Sequence, residues 1–233
     1  MRRKIALLLT AAFLLPLAAC GRSAYYETTI FAMDTVITFR LSRTAKDGAR
    51  LAETEIAEAA REAEEIVLRI EAAISRTRED SDTARLNRSA TGIESENADF
   101  LAVLARALMV AEETDGAYSP ALGTLTELWD IAGGGHVPTA DELSSALAHT
   151  DYRTVSVTGS RAGKSDSGVL IDLGGIGKGY AAARLIEYFA DSPIACGLVS
   201  LGGNVGVFGE KADKTAYRIG VSDPRGEGVA GYL

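Results

Sequence analysis

The sequence predicts an α+β fold, a single domain with N-terminal helices and a mixed or antiparallel sheet. Three observations carry this. Ile56, Ala59, Ala60, Ala63, Ile66, Val67, Ile70 and Ile74 recur at helical spacing, the mark of one long amphipathic helix. Short β-rich runs gather in the C-terminal part, from Thr154 onward. No repeat and no regular strand–helix alternation is present, so helices and strands are segregated rather than doubly wound.

The elements follow in order. Residues 27–42 carry Thr35, Ile37, Phe39 and Leu41 on one alternation and read as an opening strand or hairpin. Residues 47–75 form the long helix, with its charged side chains on a solvated face. Residues 75–96 are polar and read as irregular; a second helix follows with Phe100, Leu101, Leu104, Leu108 and Val110. Residues 116–120 turn the chain into a short segment through Leu128 and Trp129, and Gly133, Gly134 and Gly135 make a flexible loop. Thr139 and Glu142 have the spacing of a capping box for a helix ending near His149. Strands are expected at 154–157, 169–172, 198–201, 205–208 and 217–221, interrupted by a glycine-rich elbow and a helix over about 180–190.

The N-terminus points to a compartment. Arg2, Arg3 and Lys4 form a basic region ahead of an apolar run from Ile5 to Leu15, too short for an ordinary membrane-spanning helix. Leu17-Ala18-Ala19-Cys20 then has the pattern of a bacterial lipoprotein signal, with Cys20 as the lipidated first residue of the mature chain. An ordinary secretory signal with an incidental cysteine is the alternative. The expected organisation is a signal peptide over residues 1–19, a tether over 20–26 and the domain over 27–233, lipid-anchored on the extracytoplasmic face of a bacterial membrane. Cys196, in an apolar run, is then a buried core residue without a disulfide partner. The formal net charge of −8 argues against nucleic acid as a partner.

Asp172-Leu173-Gly174-Gly175-Ile176-Gly177-Lys178-Gly179-Tyr180 is the segment that folding alone explains least. Glycines so closely spaced cost chain entropy unless the backbone needs positive φ or close approach to a neighbour. Lys178 adds a cation beside exposed amides ahead of a helix, an arrangement suited to a phosphate or pyrophosphate. A Walker loop does not fit, because Asp172 and Gly179 stand where Gly and Ser or Thr are needed. A dinucleotide fingerprint fails at Tyr180. A tight strand-to-helix turn without any ligand accounts for the same residues.

Four segments taken in order narrow the reading: Phe31-Ala32-Met33-Asp34-Thr35, then Gly116-Ala117-Tyr118-Ser119-Pro120-Ala121-Leu122-Gly123 with Leu128-Trp129, the run from Asp172 to Ala182, and Leu201-Gly202-Gly203-Asn204. The stretches 81–87 and 219–224 add to them. Together they resemble the ApbE-like family of FAD:protein FMN transferases. The resemblance implies an enzyme that binds FAD, uses Mg²⁺, and transfers FMN to a Thr or Ser of a flavin-acceptor protein, expected to be a membrane redox subunit. It places Met33, Ala117, Tyr118, Ser119, Asp172 and Lys178 at flavin-contact positions and the Gly175 carbonyl at a main-chain metal position. Met33 and Tyr118 also fit as core residues, and Asp172 as a helix cap.

Two residues depart from the family pattern. Thr77 stands where an aromatic commonly stacks on the ligand, and Ser119 where Asp is common. The resemblance further implies that the family continues beyond the position of Leu233 with a His, an Asp and a Thr that complete the transfer and metal sites. The domain is therefore expected to be incomplete at its C-terminus, with no catalytic residue identifiable in it. His136, in a glycine loop, and His149, at a helix end, are not expected to substitute. The expected activity is Mg-dependent FMN transfer from FAD; the alternatives are a non-catalytic FAD-binding lipoprotein or an inactive truncated remnant.

Overall fold

The computed structural model describes residues 23–130 and 133–233. In chain order the elements are β1 (Tyr25–Ala32), β2 (Thr35–Ser42), α1 (Glu53–Ile74), α2 (Asp82–Arg88), β3 (Gly92–Glu94), α3 (Ala98–Glu113), α4 (Gly123–Trp129), α5 (Ala140–Leu147), β4 (Val155–Thr158), β5 (Arg161–Lys164), α6 (Gly174–Asp191), β6 (Cys196–Leu201), β7 (Asn204–Gly209), β8 (Gly220–Ser222) and β9 (Val229–Tyr232). The main sheet has the order β1-β2-β6-β7 and every pair in it is antiparallel. A smaller antiparallel sheet, β3-β5-β4, and the β8–β9 hairpin stand apart from it. The predicted α+β class holds, and its sheets are antiparallel.

Alternation fixes which face of the main sheet is covered. Ile37, Phe39 and Leu41 of β2 are fully buried, as are Val199 and Leu201 of β6. Against them lie α1 and α6. The α1 stripe of Ile56, Ala60, Ala63, Val67, Ile70 and Ile74 steps by three and four residues, which keeps one apolar face toward the core. Glu58, Arg61 and Glu65 pair along the opposite face, the solvated side expected of it. Phe189 near the end of α6 joins helix to sheet: it stacks on Phe208 with ring centroids 4.9 Å apart and meets Phe39 edge-on at 6.2 Å. α3 adds Phe100, Val103, Leu104 and Ala107 to the same core.

Several expectations change. Tyr25 and Tyr26 pair with Leu41 and Ser42, so the last two residues of the expected tether belong to the sheet. Residues 75–96 are not irregular: they hold α2, capped by the Ser81 hydroxyl on the Ala84 amide, and β3. Their polar composition hides them, because Asp82, Thr83 and Ser95 are buried polar residues. β5 reads Arg-Ala-Gly-Lys and has no β-branched residue to announce it. The run expected as a strand over 217–221 pairs only from Ile219, which exchanges backbone hydrogen bonds with Leu233, and its strand β8 starts at Gly220 against β9. Cys196 is buried as expected. Cys20 and the signal segment lie outside the described residues. No helix among the described residues is long and apolar enough to cross a membrane.

The largest correction concerns residues 168–173, which form no strand. Val169, Ile171 and Leu173 are buried as an apolar run should be, yet a side chain replaces the ladder. Asn87 Oδ1 accepts the Ile171 amide at 2.7 Å and Asn87 Nδ2 donates to the Ile171 carbonyl at 2.9 Å. Gly123 N–H donates to the Leu170 carbonyl, Asp172 N–H to the Pro120 carbonyl, and the buried Lys164 ammonium to the Val169 carbonyl at 3.0 Å. These bonds satisfy the backbone of a segment that alternates between buried and half-buried residues and has no strand partner.

Truncating Phe189 to Ala removes the ring that joins α6 to the sheet, and the expected loss is about 3–5 kcal/mol of unfolding free energy. Urea denaturation followed by circular dichroism checks it; an unchanged midpoint contradicts the assigned role of this ring.

Candidate functional site

The glycine-rich run is not an elbow ahead of a helix. It is the helix: α6 starts at Gly174, well before the expected Tyr180. Asp172 Oδ1 accepts the Gly174 amide at 2.8 Å, and the Leu173 carbonyl accepts those of Ile176 and Gly177, which closes the first turn. Glycine is a poor helix former, so packing must favour it here. A Cβ added at Gly177 would lie 2.5 Å from Ile74 Cδ1 on α1, and one at Gly175 would lie 3.1 Å from the Tyr118 ring. On the third side, a Cβ at Gly179 would reach Asn204 at 3.6 Å. The bare backbone of α6 therefore sits against α1, the Tyr118 loop and the β6–β7 turn.

Two of those neighbours, the Tyr118 loop and the β6–β7 turn, carry segments noted in the sequence, and the Met33-Asp34 turn lies beside the latter. The Met33-Asp34 turn joins β1 to β2 and the Gly202-Gly203 turn joins β6 to β7; all four residues have left-handed φ, at 51°, 55°, 57° and 91°. This is the turn geometry that matches strand twist in a two-residue hairpin. The turns are packed together, since a Cβ at Gly202 would fall 2.4 Å from Thr35 Oγ1, and the Gly202 amide donates to the Val36 carbonyl.

Two clefts flank the N-terminal turns of α6. One, of about 330 Å³, is lined by Met33, Asp34, Glu71, Arg76, Asp172 and Lys178, among others. The other, of about 490 Å³, includes Arg106, Tyr118, Gly175, Gly179 and Tyr180. Of the residues expected from the sequence, Met33, Asp172 and Lys178 come together in the first cleft, and Tyr118 and Gly175 meet in the second. Ala117 is exposed and lines neither; the Ser119 hydroxyl accepts the Ala121 amide at 3.1 Å and serves its own loop. Asp34, Glu71 and Arg76 were missed. Asp34 belongs to the Phe31–Thr35 segment, while Glu71 is in the last turn of α1 and Arg76 just beyond it, where only the fold reveals that they face the cleft. Thr77 also lines it, its hydroxyl 3.2 Å from that of Ser75.

The charges are unequal in freedom. Arg76 Nε stands 3.4 Å from Asp172 Oδ2, and its guanidinium is 3.8 Å from Glu127, so two carboxylates share it. Lys178 has no such partner among the described residues, which leaves its ammonium as the cleft's uncommitted cation. Asp172 accepts the Gly174 amide with one oxygen and meets Arg76 with the other, but the N-cap position is Leu173, so Asp172 stands one residue ahead of the cap expected of it. Burial and the negative charge of Asp172 push the Tyr118 phenol up to about 12, and its hydroxyl is buried without a hydrogen-bond partner. Gly175 lies in the first turn of α6, and among the described residues no three His, Cys, Asp or Glu side chains gather to hold a metal ion. The histidines stand elsewhere: His136 pairs with Glu142 at 3.3 Å, and His149 with Asp166 at 2.8 Å, which accounts for His149 better than a helix end does.

Asn87→Ala leaves the buried Ile171 amide and carbonyl without partners. The expected destabilisation is about 1–3 kcal/mol by urea denaturation; an unaltered midpoint contradicts the clamp.

The comparisons with known proteins agree with this geometry. A model of the ApbE family matches residues 33–233. The FAD:protein FMN transferase of Treponema pallidum is 34% identical over 178 residues, which is 68% of this chain and 48% of that protein. That of Haemophilus influenzae is 26% identical across 96% of this chain and 66% of its own length. The crystal structure of the ApbE protein from Thermotoga maritima superposes with a TM-score of 0.79 at 32% identity, covering 90% of this chain and 67% of that one. The apo form of Pseudomonas stutzeri flavinyl transferase ApbE gives 0.76 at 25% identity, with 89% and 66% covered. The chain thus spans about half the length of its Treponema relative. By sequence, by fold and by the convergence of its spaced motifs on one helix N-terminus, the chain belongs to the ApbE family.

Proposed function

We propose that this chain binds FAD at the N-terminus of α6 and contributes that site to an FAD:protein FMN transferase. The observation that carries the reading is the uncommitted Lys178 in a cleft beside the first turn of a helix. Backbone amides and the helix dipole favour an anion there, and a lysine adds a mobile point charge suited to a diphosphate. Met33, an apolar side chain on the cleft wall, and Tyr118, an aromatic across α6, supply surface for a flat ring system.

In the proposed reaction the hydroxyl oxygen of a Thr or Ser on the acceptor bonds to the FMN phosphorus. The phosphorus–oxygen bond to AMP breaks, and the hydroxyl proton leaves to a base. Such transfer depends on positioning and charge stabilisation. Lys178 holds negative charge on the diphosphate, and the α6 N-terminus orients it. Magnesium, when bound, would neutralise charge on the diphosphate oxygens, with the Gly175 carbonyl as one ligand. The described residues offer no carboxylate cluster beside that carbonyl, so they do not by themselves make a magnesium site. The acceptor is proposed to be a membrane redox subunit. Lipidation at Cys20 would hold the chain on the extracytoplasmic face, near such a partner.

Lys178→Ala is expected to weaken FAD binding by about 1.5–3 kcal/mol, roughly tenfold to a hundredfold in Kd. Titration followed by flavin fluorescence or calorimetry checks it; equal affinities would remove Lys178 from the site.

A further inference from the structure

The two adjoining hairpin turns solve one problem differently. Both need left-handed φ at consecutive positions. The β6–β7 turn uses Gly202 and Gly203, which adopt it freely, whereas the β1–β2 turn uses Asp34, which tolerates it, and Met33, which does not. Strained non-glycine backbone persists only where its surroundings hold it, and it concentrates at working sites. The holder is visible: the Met33 amide donates to Glu71 Oε1 at 2.7 Å, across from the end of α1. Met33, Asp34 and Glu71 all face the cleft that contains Lys178. The chain keeps side chains where glycine would relax the turn, and a carboxylate fastens the backbone that carries them.

We infer that Glu71 is a positioning residue for ligand binding. Its carboxylate clamps the strained Met33-Asp34 turn and so fixes the Met33 wall of the cleft, without itself touching the ligand. This rests on the FAD reading above, and it assigns to that site a residue outside the set read from the sequence. Glu71 stands at the end of α1 opposite the β1–β2 turn, so one carboxylate links the helix layer to the hairpin tip. Lost contact there would free Met33 while leaving Lys178 and the first turn of α6 in place.

A double-mutant cycle tests it with two readouts, FAD affinity and the hydrogen-exchange rate of the Met33 amide. Glu71→Gln retains an oxygen acceptor and should keep the Met33 amide protected, with affinity close to the unaltered chain. Glu71→Ala should expose that amide and weaken FAD by about tenfold, the size expected for losing a hydrogen bond to a charged group. Asp34→Gly eases the left-handed conformation at the second turn position and lets the turn form with less help from Glu71, so Glu71→Ala should cost less affinity in the Asp34→Gly background than in the native one. An equal cost in both backgrounds, or a Met33 amide equally protected in Glu71→Ala, would overturn the inference. If the unaltered chain fails to bind FAD, the proposed function falls. The Met33 exchange rates then still decide whether Glu71 holds the turn: protection lost in Glu71→Ala and kept in Glu71→Gln upholds the clamp, and equal rates reject it.

Discussion

The close approach of α6 to its neighbours is the constraint on which the rest of this structure depends. Glycine costs roughly 1 kcal/mol per helical position relative to alanine, and the first turns of α6 bear that cost repeatedly. The return is distance. Ile74 and the Tyr118 ring occupy space that a side chain at Gly177 or Gly175 would take, and Asn204 comes to ordinary contact distance of Gly179. Because α6 can lie flat against all of them, the N-terminal end of one helix becomes the meeting point of two hairpin turns, the end of α1 and the Tyr118 loop. A side chain at Gly177 or Gly175 would have to displace the Ile74 or Tyr118 side chain that packs there.

The approach to α6 is held with equal care. Residues 168–173 enter the core without a strand partner, and Asn87 supplies both halves of the missing ladder at Ile171. Lys164, buried in that region, has its ammonium pK lowered by desolvation and spends its protons on the Val169 and Asn87 carbonyls. These bonds set where Asp172 emerges, and Asp172 in turn closes the first turn of α6 and engages Arg76. The result is an ordering of charge: Arg76 is committed to carboxylates, and Lys178 is left free to meet an anion.

Much of this was legible in the sequence, for identifiable reasons. The stripe of α1 and the alternation of β2 follow from burial on one face, and the Thr139–Glu142 capping box forms as its spacing requires. The motif residues Met33, Asp172 and Lys178 do share a cleft. What stayed hidden depends on long-range contacts. An apolar run such as Val169 to Ile171 looks the same whether a strand or an asparagine side chain satisfies its backbone. A glycine run looks like a loop unless the neighbours that crowd it are known. Glu71 sits on a helix whose periodicity explains its buried face and says nothing about which polar residues look into a cleft, and Arg76 lies just past that helix, where no periodicity applies.

The central claim is that the N-terminal turns of α6 and the Met33 turn form one FAD site. Backbone amide chemical shifts recorded during an FAD titration test it most directly. The account predicts saturable shift changes concentrated at Met33, Asp34 and residues 174–178, with the acidic outer face of α1 unaffected. Saturable changes elsewhere on the surface, with these amides unmoved, would contradict it.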